Sequence, residues 1–165
     1  AARRTVVLMS PSKTYNLPGL NCAFAVIPDN TLRRRFKEAV HGTLPHVNTL
    51  GYRACAAAYA DSEEWYRALI DYLRANRDLV ADRVGRMPGL SMTPVEGTYL
   101  AWIDCRAAGL GRPCRAFERG GVGLSDGADF GAPGFVRLNF GCPRARLREA
   151  LDRMETVVVS GRRSE

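Results

Sequence analysis

Thr5-Val6-Val7-Leu8-Met9 is an unbroken run of β-branched and apolar residues that halts at Ser10-Pro11-Ser12-Lys13. A strand that is apolar on both faces needs cover on both faces, as in a parallel sheet with helices above and below. Such a sheet is assembled from repeated βα units, and the chain does not supply that run of units around Thr5. The expectation is that these residues begin inside the sheet of a larger α/β layer, and that the chain is the C-terminal part of a longer polypeptide.

The rest of the pattern is mixed. A second apolar run, Cys22 to Ile27, stops at Pro28-Asp29-Asn30, whose side chains offer caps for a helix from about Thr31 to His41. Thr49 to Tyr59 is Ala-rich and reads as helix. Asp61 and Glu64 resemble a capping box opening a long helix to about Met87, along which Tyr66, Leu69, Ile70, Leu73, Val80, Val84 and Met87 recur at intervals of three and four. Pro88-Gly89 stops it. Strand patterns follow at Leu90 to Val95, Thr98 to Cys105, about Gly121 to Leu124 and Phe135 to Phe140, with a short helix near Pro113 to Arg119. Pro143 opens a last helix whose Leu147, Ala150, Leu151, Met154 and Val158 share one face. The expected class is thus α/β together with α+β: residues 1–60 as the end of a large-domain sheet, 61–88 as a long connecting helix, and 89–165 as a small α+β domain with an antiparallel sheet.

Composition narrows the function classes. With 46% apolar and 25% charged residues, the chain reads as globular, and its longest apolar run is far short of a membrane span. The net charge of +7 comes almost wholly from arginine, since Lys13 and Lys37 are the two lysines. The arginines are scattered, and no helix-turn-helix, zinc-finger spacing or aromatic RNA-binding signature accompanies them, so no nucleic-acid partner is expected. Five widely spaced cysteines without a C-x-x-C pair point to reduced thiols, a cytoplasmic location and no structural metal. His41 and His46 are too isolated to be read as ligands or bases.

Lys13 follows the end of the first strand, where open α/β sheets place their ligands. The hydroxyls of Ser10 and Ser12 can donate to phosphate oxygens, Tyr15 adds a ring, and an amine in a partly dehydrated setting suits Schiff-base chemistry. On spacing alone, a solvated loop lysine is the better account of the position. Arg137 likewise reads either as a carboxylate-binding guanidinium or as an outward strand residue in a surface pair.

Ser10-Pro11-Ser12-Lys13-Thr14-Tyr15-Asn16-Leu17-Pro18-Gly19-Leu20 resembles the pyridoxal-phosphate lysine segment of the fold-type I aminotransferases (class I/II), in particular the cystathionine β-lyase-like, or C–S lyase, branch. The likeness continues in order through Asn48-Thr49-Leu50-Gly51, Ala56-Ala57-Ala58-Tyr59, Trp65, Leu69, Tyr72-Leu73 and Asn76. It closes with Glu96-Gly97-Thr98-Tyr99-Leu100-Ala101-Trp102, Leu124-Ser125-Asp126-Gly127, Phe130-Gly131 and Gly134-Phe135-Val136-Arg137-Leu138-Asn139-Phe140-Gly141-Cys142-Pro143.

The resemblance implies that Lys13 holds pyridoxal 5'-phosphate and later moves the substrate Cα proton. It implies that Arg137 grips the substrate α-carboxylate and that Ser10 and Ser12 lie near the cofactor phosphate, Ser10 foremost. Tyr99 is implied as a substrate-pocket residue, against the alternative of a buried strand tyrosine. Asn48 is implied near the cofactor of a neighbouring subunit in a homodimer, against that of a helix cap. The activity implied is β-elimination from a sulfur amino acid. Transamination, or a ligand-sensing role within a transcription regulator, are the alternatives.

Two departures stand out. Many aminotransferases of this fold carry an arginine eight residues after the lysine, where this chain has Asn21. The family's aspartate for the pyridine nitrogen, its ring-stacking aromatic and its glycine-rich phosphate loop all precede the lysine, and here twelve residues do. The chain by itself is therefore expected to hold part of a site, to bind little cofactor and to be inactive.

Overall fold

The computed structural model describes residues 2–161. The chain divides into two compact units, the first ending at Leu69 and the second starting at Ile70. The division falls within one long helix.

In the first unit, strand β1 (Val7–Met9) pairs antiparallel with β2 (Phe24–Val26), Leu8 lying opposite Ala25. The linking residues hold a single helical turn, α1 (Pro11–Thr14), and a 3-10 turn at Pro18–Leu20. The neighbour seen here is antiparallel, not one of the parallel neighbours expected of the larger sheet. A parallel partner needs a crossover that returns the chain to the same end of the sheet, whereas this link simply reverses it. Among the described residues no layer covers β1, and the apolar Leu8 is 71% exposed. Helix α2 (Asn30–Val40) is capped by Asp29, whose carboxylate accepts the Leu32 N–H at 2.8 Å. Helix α3 spans Thr49–Asp61.

Helix α4 (Glu63–Arg86) begins after a one-residue break at Ser62. Asp61 is the last residue of α3, so the capping box expected at Asp61 does not form. The Ser62 carbonyl instead accepts the Tyr66 N–H at 2.9 Å to start the new helix.

The second unit is a four-stranded antiparallel sheet in the order β3-β4-β6-β5, from β3 (Ser91–Met92), β4 (Leu100–Asp104), β5 (Ser125–Asp126) and β6 (Phe135–Asn139). Helix α5 (Pro113–Arg119) has the expected bounds, and α6 spans Arg144–Gly161. Ala101 and Ile103 of β4 and Val136 and Leu138 of β6 alternate onto one face. Against them pack Val80 and Val84 of α4, Phe117 of α5, and the stripe Leu147, Leu151, Met154 and Val158 of α6, all buried.

Two expected strands shrink. β3 stops ahead of Pro94, which has no N–H to give a ladder. Gly121 to Leu124 is irregular because Gly121 takes φ +78, and the strand starts only at Ser125.

Gly89, which ends the turn after α4, has φ +82, and a Cβ there would lie 2.3 Å from the Ala107 carbonyl oxygen and 2.6 Å from the Ala108 Cα. Both obstacles are backbone. Gly89→Ala is expected to cost about 2 kcal/mol from the left-handed conformation and the clash together. A fall in the urea midpoint at unchanged slope checks this; an unaltered midpoint would refute it. No helix among the described residues is long and apolar enough to cross a membrane.

Candidate active-site residues

β1 delivers the chain to Ser10, whose extended backbone (φ −153, ψ 141) places it as the cap of α1. Its hydroxyl oxygen accepts the Ser12 N–H at 3.1 Å, and Pro11 sits at the first helical position, where no N–H is needed. The Ser10 hydroxyl donates to the Cys22 carbonyl at 2.8 Å and lies 2.7 Å from the Ser12 hydroxyl. A hydroxyl has one proton to give. With that of Ser10 on Cys22, the Ser12 proton makes the shorter contact. Lys13 projects from this single turn into solvent, and among the described residues nothing pairs with its amine.

Aromatic packing holds the turn in place. Tyr15, two residues beyond Lys13, meets Tyr59 edge-on at 5.3 Å, stacks on Trp65 at 6.2 Å and leans on Tyr66 at 6.0 Å. Asn21 ends the following 3-10 turn at φ 49, ψ 47, a left-handed conformation that asparagine tolerates far better than arginine does. This is a local reason for the departure at that position. Asn48 caps α3, its side-chain oxygen accepting the Gly51 N–H at 2.8 Å while its amide donates to the Leu20 carbonyl at 3.3 Å. It thereby ties α3 to the turn after Lys13.

In the second unit Arg137 stands on β6, on the face opposite the buried one. Trp102 of β4 and Ser125 of β5 are its direct cross-strand neighbours. One guanidinium N–H donates to the Ser125 hydroxyl at 3.1 Å, and the guanidinium carbon sits 4.6 Å from the centre of the Phe130 ring. Phe130 in turn abuts Trp102 at 5.8 Å, and Trp102 stacks on Phe135 at 5.7 Å. At the far end of this aromatic row Arg106 grips Asp104 at 2.7 Å, and that hydrogen-bonded pairing holds the Asp104 carboxyl below the usual carboxylate range. Among the described residues no carboxylate pairs with Arg137, so it is a held, half-buried cation with N–H groups to spare. Tyr99 lies at the end of the same sheet, half-buried, its ring within 3.2 Å of where a Cβ at Gly141 would stand.

The turn from β6 into α6 is braced from below. Asn76 of α4 is fully buried. Its amide donates to the Phe140 carbonyl at 2.9 Å and the Cys142 carbonyl at 3.0 Å, and its oxygen accepts Arg144 Nε at 2.9 Å. Arg144 lies over the Tyr72 ring at 4.4 Å, and its backbone N–H donates to the Tyr72 hydroxyl at 2.6 Å. Ser125, Phe130, Asn76 and Arg144 had no assigned role in the sequence. A polar residue inside the apolar stripe Leu73–Val80–Val84 is the signal that marks Asn76 in advance.

An open cleft of about 600 Å³ lies beside β6, lined among others by Asn139, Cys142, Arg146 and Arg153. None of the site residues singled out in the sequence lines it. Among the described residues no group of three or more His, Cys, Asp or Glu gathers as a metal site.

The family model for aminotransferases of class I and II matches residues 1–154. The chain is 32% identical over 161 residues to cystathionine beta-lyase PatB of Bacillus subtilis, covering 93% of this chain and 42% of that one. Among solved structures, OvoB matches with a TM-score of 0.93 at 48% identity, over 96% of this chain and 42% of that chain. Cystalysin from Treponema denticola, whose crystal structure contains pyridoxal 5'-phosphate, matches with a TM-score of 0.86 at 28% identity, over 96% and 42%. The chain therefore spans about two fifths of the length of these relatives.

Proposed function

This chain belongs to the family of class I and II aminotransferases, and from that premise we propose that it supplies the cofactor lysine and the carboxylate-binding arginine of a pyridoxal-phosphate-dependent C–S lyase. The observation that carries the reading is an unpaired lysine amine flanked by two seryl hydroxyls, on a chain 32% identical to a cystathionine beta-lyase.

The donor set fits the cofactor. The free amine of Lys13 suits its aldehyde, and the Ser12 and Ser10 hydroxyls suit its phosphate oxygens. Each proton must first leave its present acceptor, that of Ser12 the Ser10 hydroxyl and that of Ser10 the Cys22 carbonyl. When bound, pyridoxal phosphate supplies an electron sink for charge developing at the substrate Cα.

The chain's own residues then have distinct tasks. Lys13 Nζ takes the proton from Cα as general base. The Cβ–S bond of a thioether amino acid, such as cystathionine, or of cysteine breaks with its electron pair going to sulfur, which takes up a proton; one water is consumed in hydrolysing the remaining three-carbon fragment, and the products are a thiol, pyruvate and ammonia. Arg137 offers parallel N–H donors to the α-carboxylate, its plane set by the Phe130 ring and the Ser125 hydroxyl. Tyr99 is assigned to the pocket wall. Asn48, with one amide N–H beyond its bond to Leu20, is assigned to the cofactor of a neighbouring subunit in a homodimer. The five free thiols support a cytoplasmic setting.

Amino-acid transamination would use the same residues, and an aspartate aminotransferase of Geobacillus stearothermophilus is 24% identical. The left-handed backbone at Asn21, unsuited to a second phosphate-binding arginine, favours the lyase. The deciding assay on the whole protein is release of pyruvate and thiol from cystathionine, against conversion of a keto acid to an amino acid.

Arg137→Ala is expected to raise KM for the amino acid about 100-fold, near 2.7 kcal/mol, with the absorption band of lysine-bound cofactor intact. Loss of that band would show that the arginine serves the cofactor instead.

A further inference from the structure

Two cysteines of the first unit meet at a place set by the packing on either side of them. Gly51, Cys55 and Tyr59 are spaced by four along α3 and so lie on one face of the helix. The segment running from the 3-10 turn into β2 lies along that face. At one end the Leu20 carbonyl approaches Gly51 so closely that a Cβ would come within 2.6 Å. At the other end the Phe24 ring meets the Tyr59 ring at 6.0 Å. Four helical residues advance about 6 Å and two residues of strand about 6.6 Å, so the two elements stay in step. Cys22 thus falls opposite Cys55, near enough for its thiol to act on that of Cys55. The Tyr59 hydroxyl, pushed up by burial first and then by Cys55, Tyr15 and Cys22, senses the same cluster.

The members of the pair differ in access. Cys22 is 6% exposed, while Cys55 is partly open to solvent. Cys105, Cys114 and Cys142 belong to the other unit. The thiol of Cys105 is buried and pushed up to about 12, which leaves it inert.

We propose that Cys22 and Cys55 form a redox-sensitive dithiol that hydroperoxides convert to a disulfide, fastening the segment behind Ser10 to α3. The accessible Cys55 sulfur attacks the peroxide, forming an S–O bond as the O–O bond breaks, to give a sulfenic acid and water (an alcohol from an organic hydroperoxide). The Cys22 sulfur then displaces that oxygen as a second water, forming the S–S bond. The two sulfurs are oxidised by two electrons in all, and one peroxide is reduced. Burial and the adjacent Cys22 push the Cys55 thiol up, so little of it is thiolate and its oxidation is slow, needing peroxide to accumulate. The effect reaches the cofactor lysine through the backbone: the Cys22 carbonyl accepts the Ser10 hydroxyl, three residues before Lys13.

The test is peptide mapping after hydrogen peroxide treatment and alkylation of the remaining thiols. Tryptic cleavage places Cys22 in Thr14–Arg33 and Cys55 in Ala54–Arg67. The expected product is these two peptides joined, two hydrogens lighter than their sum and at least about ten-fold more abundant than any link involving Cys105, Cys114 or Cys142. Cys55→Ser and Cys22→Ala should each abolish it, and the wild-type map stands even if one variant folds poorly. Comparable yields across all five thiols would overturn the proposal, as would Cys55 accumulating as sulfinic or sulfonic acid without the link.

Discussion

Lys13→Ala is expected to abolish covalent attachment of pyridoxal phosphate altogether. The chain has one other lysine, Lys37, on the exposed surface of α2 without the paired hydroxyls that flank Lys13. Borohydride reduction of the loaded whole protein should fix the cofactor on Lys13. Trypsin then fails to cut there and yields Thr5–Arg33 as one modified peptide, which the variant lacks. Because the Lys13 side chain is exposed and no hydrogen bond or ion pair holds it among the described residues, unfolding stability should change by no more than about 0.5 kcal/mol. Retention of reducible cofactor on Lys37 in the variant would end the assignment of Lys13, whatever the activity does.

The largest effect on folding is expected at Asn76. Alanine there removes both donors from the Phe140 and Cys142 carbonyls and the acceptor from Arg144, at a side chain that is itself fully buried. The buried Phe140 carbonyl, the half-buried Cys142 carbonyl and a guanidinium N–H left short together cost roughly 3 kcal/mol, a large share of the stability of a domain. Asn76→Leu fills the space but restores no bond, and should lose nearly as much. Urea unfolding followed by circular dichroism measures both. A loss under about 1 kcal/mol would mean that the turn into α6 rearranges to satisfy itself. Since that turn continues β6, the strand that bears Arg137, partial unfolding here should weaken amino-acid binding before it affects Lys13.

The sequence shows most where local chemistry decides the outcome. Pro113 and Gly120 punctuate α5 at its observed bounds, and the stripe Leu147–Leu151–Met154–Val158 is the buried face of α6. It shows less where a partner strand decides. Thr5 to Met9 is apolar in any pairing, and periodicity does not tell an antiparallel neighbour from a parallel one. Gly121 to Leu124 alternates like a strand, but the positive φ of Gly121 removes it from the ladder.

The site follows the same division. Lys13 and Arg137 stand out through the motifs around them, whereas the supports of Arg137 do not. Ser125 lies twelve residues away in sequence and becomes its neighbour only through the β5–β6 register. Asn48 carries in its residue type the helix-capping role that the structure shows. Its contact with Leu20 depends on how α3 packs, which no local pattern encodes.

The two tryptophans fall one to each unit. Trp65 stacks on Tyr15, two residues beyond Lys13, and Trp102 abuts the phenylalanine that supports Arg137. Each half of the chain therefore carries its own built-in fluorophore. With the other indole replaced by phenylalanine, unlabelled protein would report on the lysine segment or on the arginine strand as a separate emission signal.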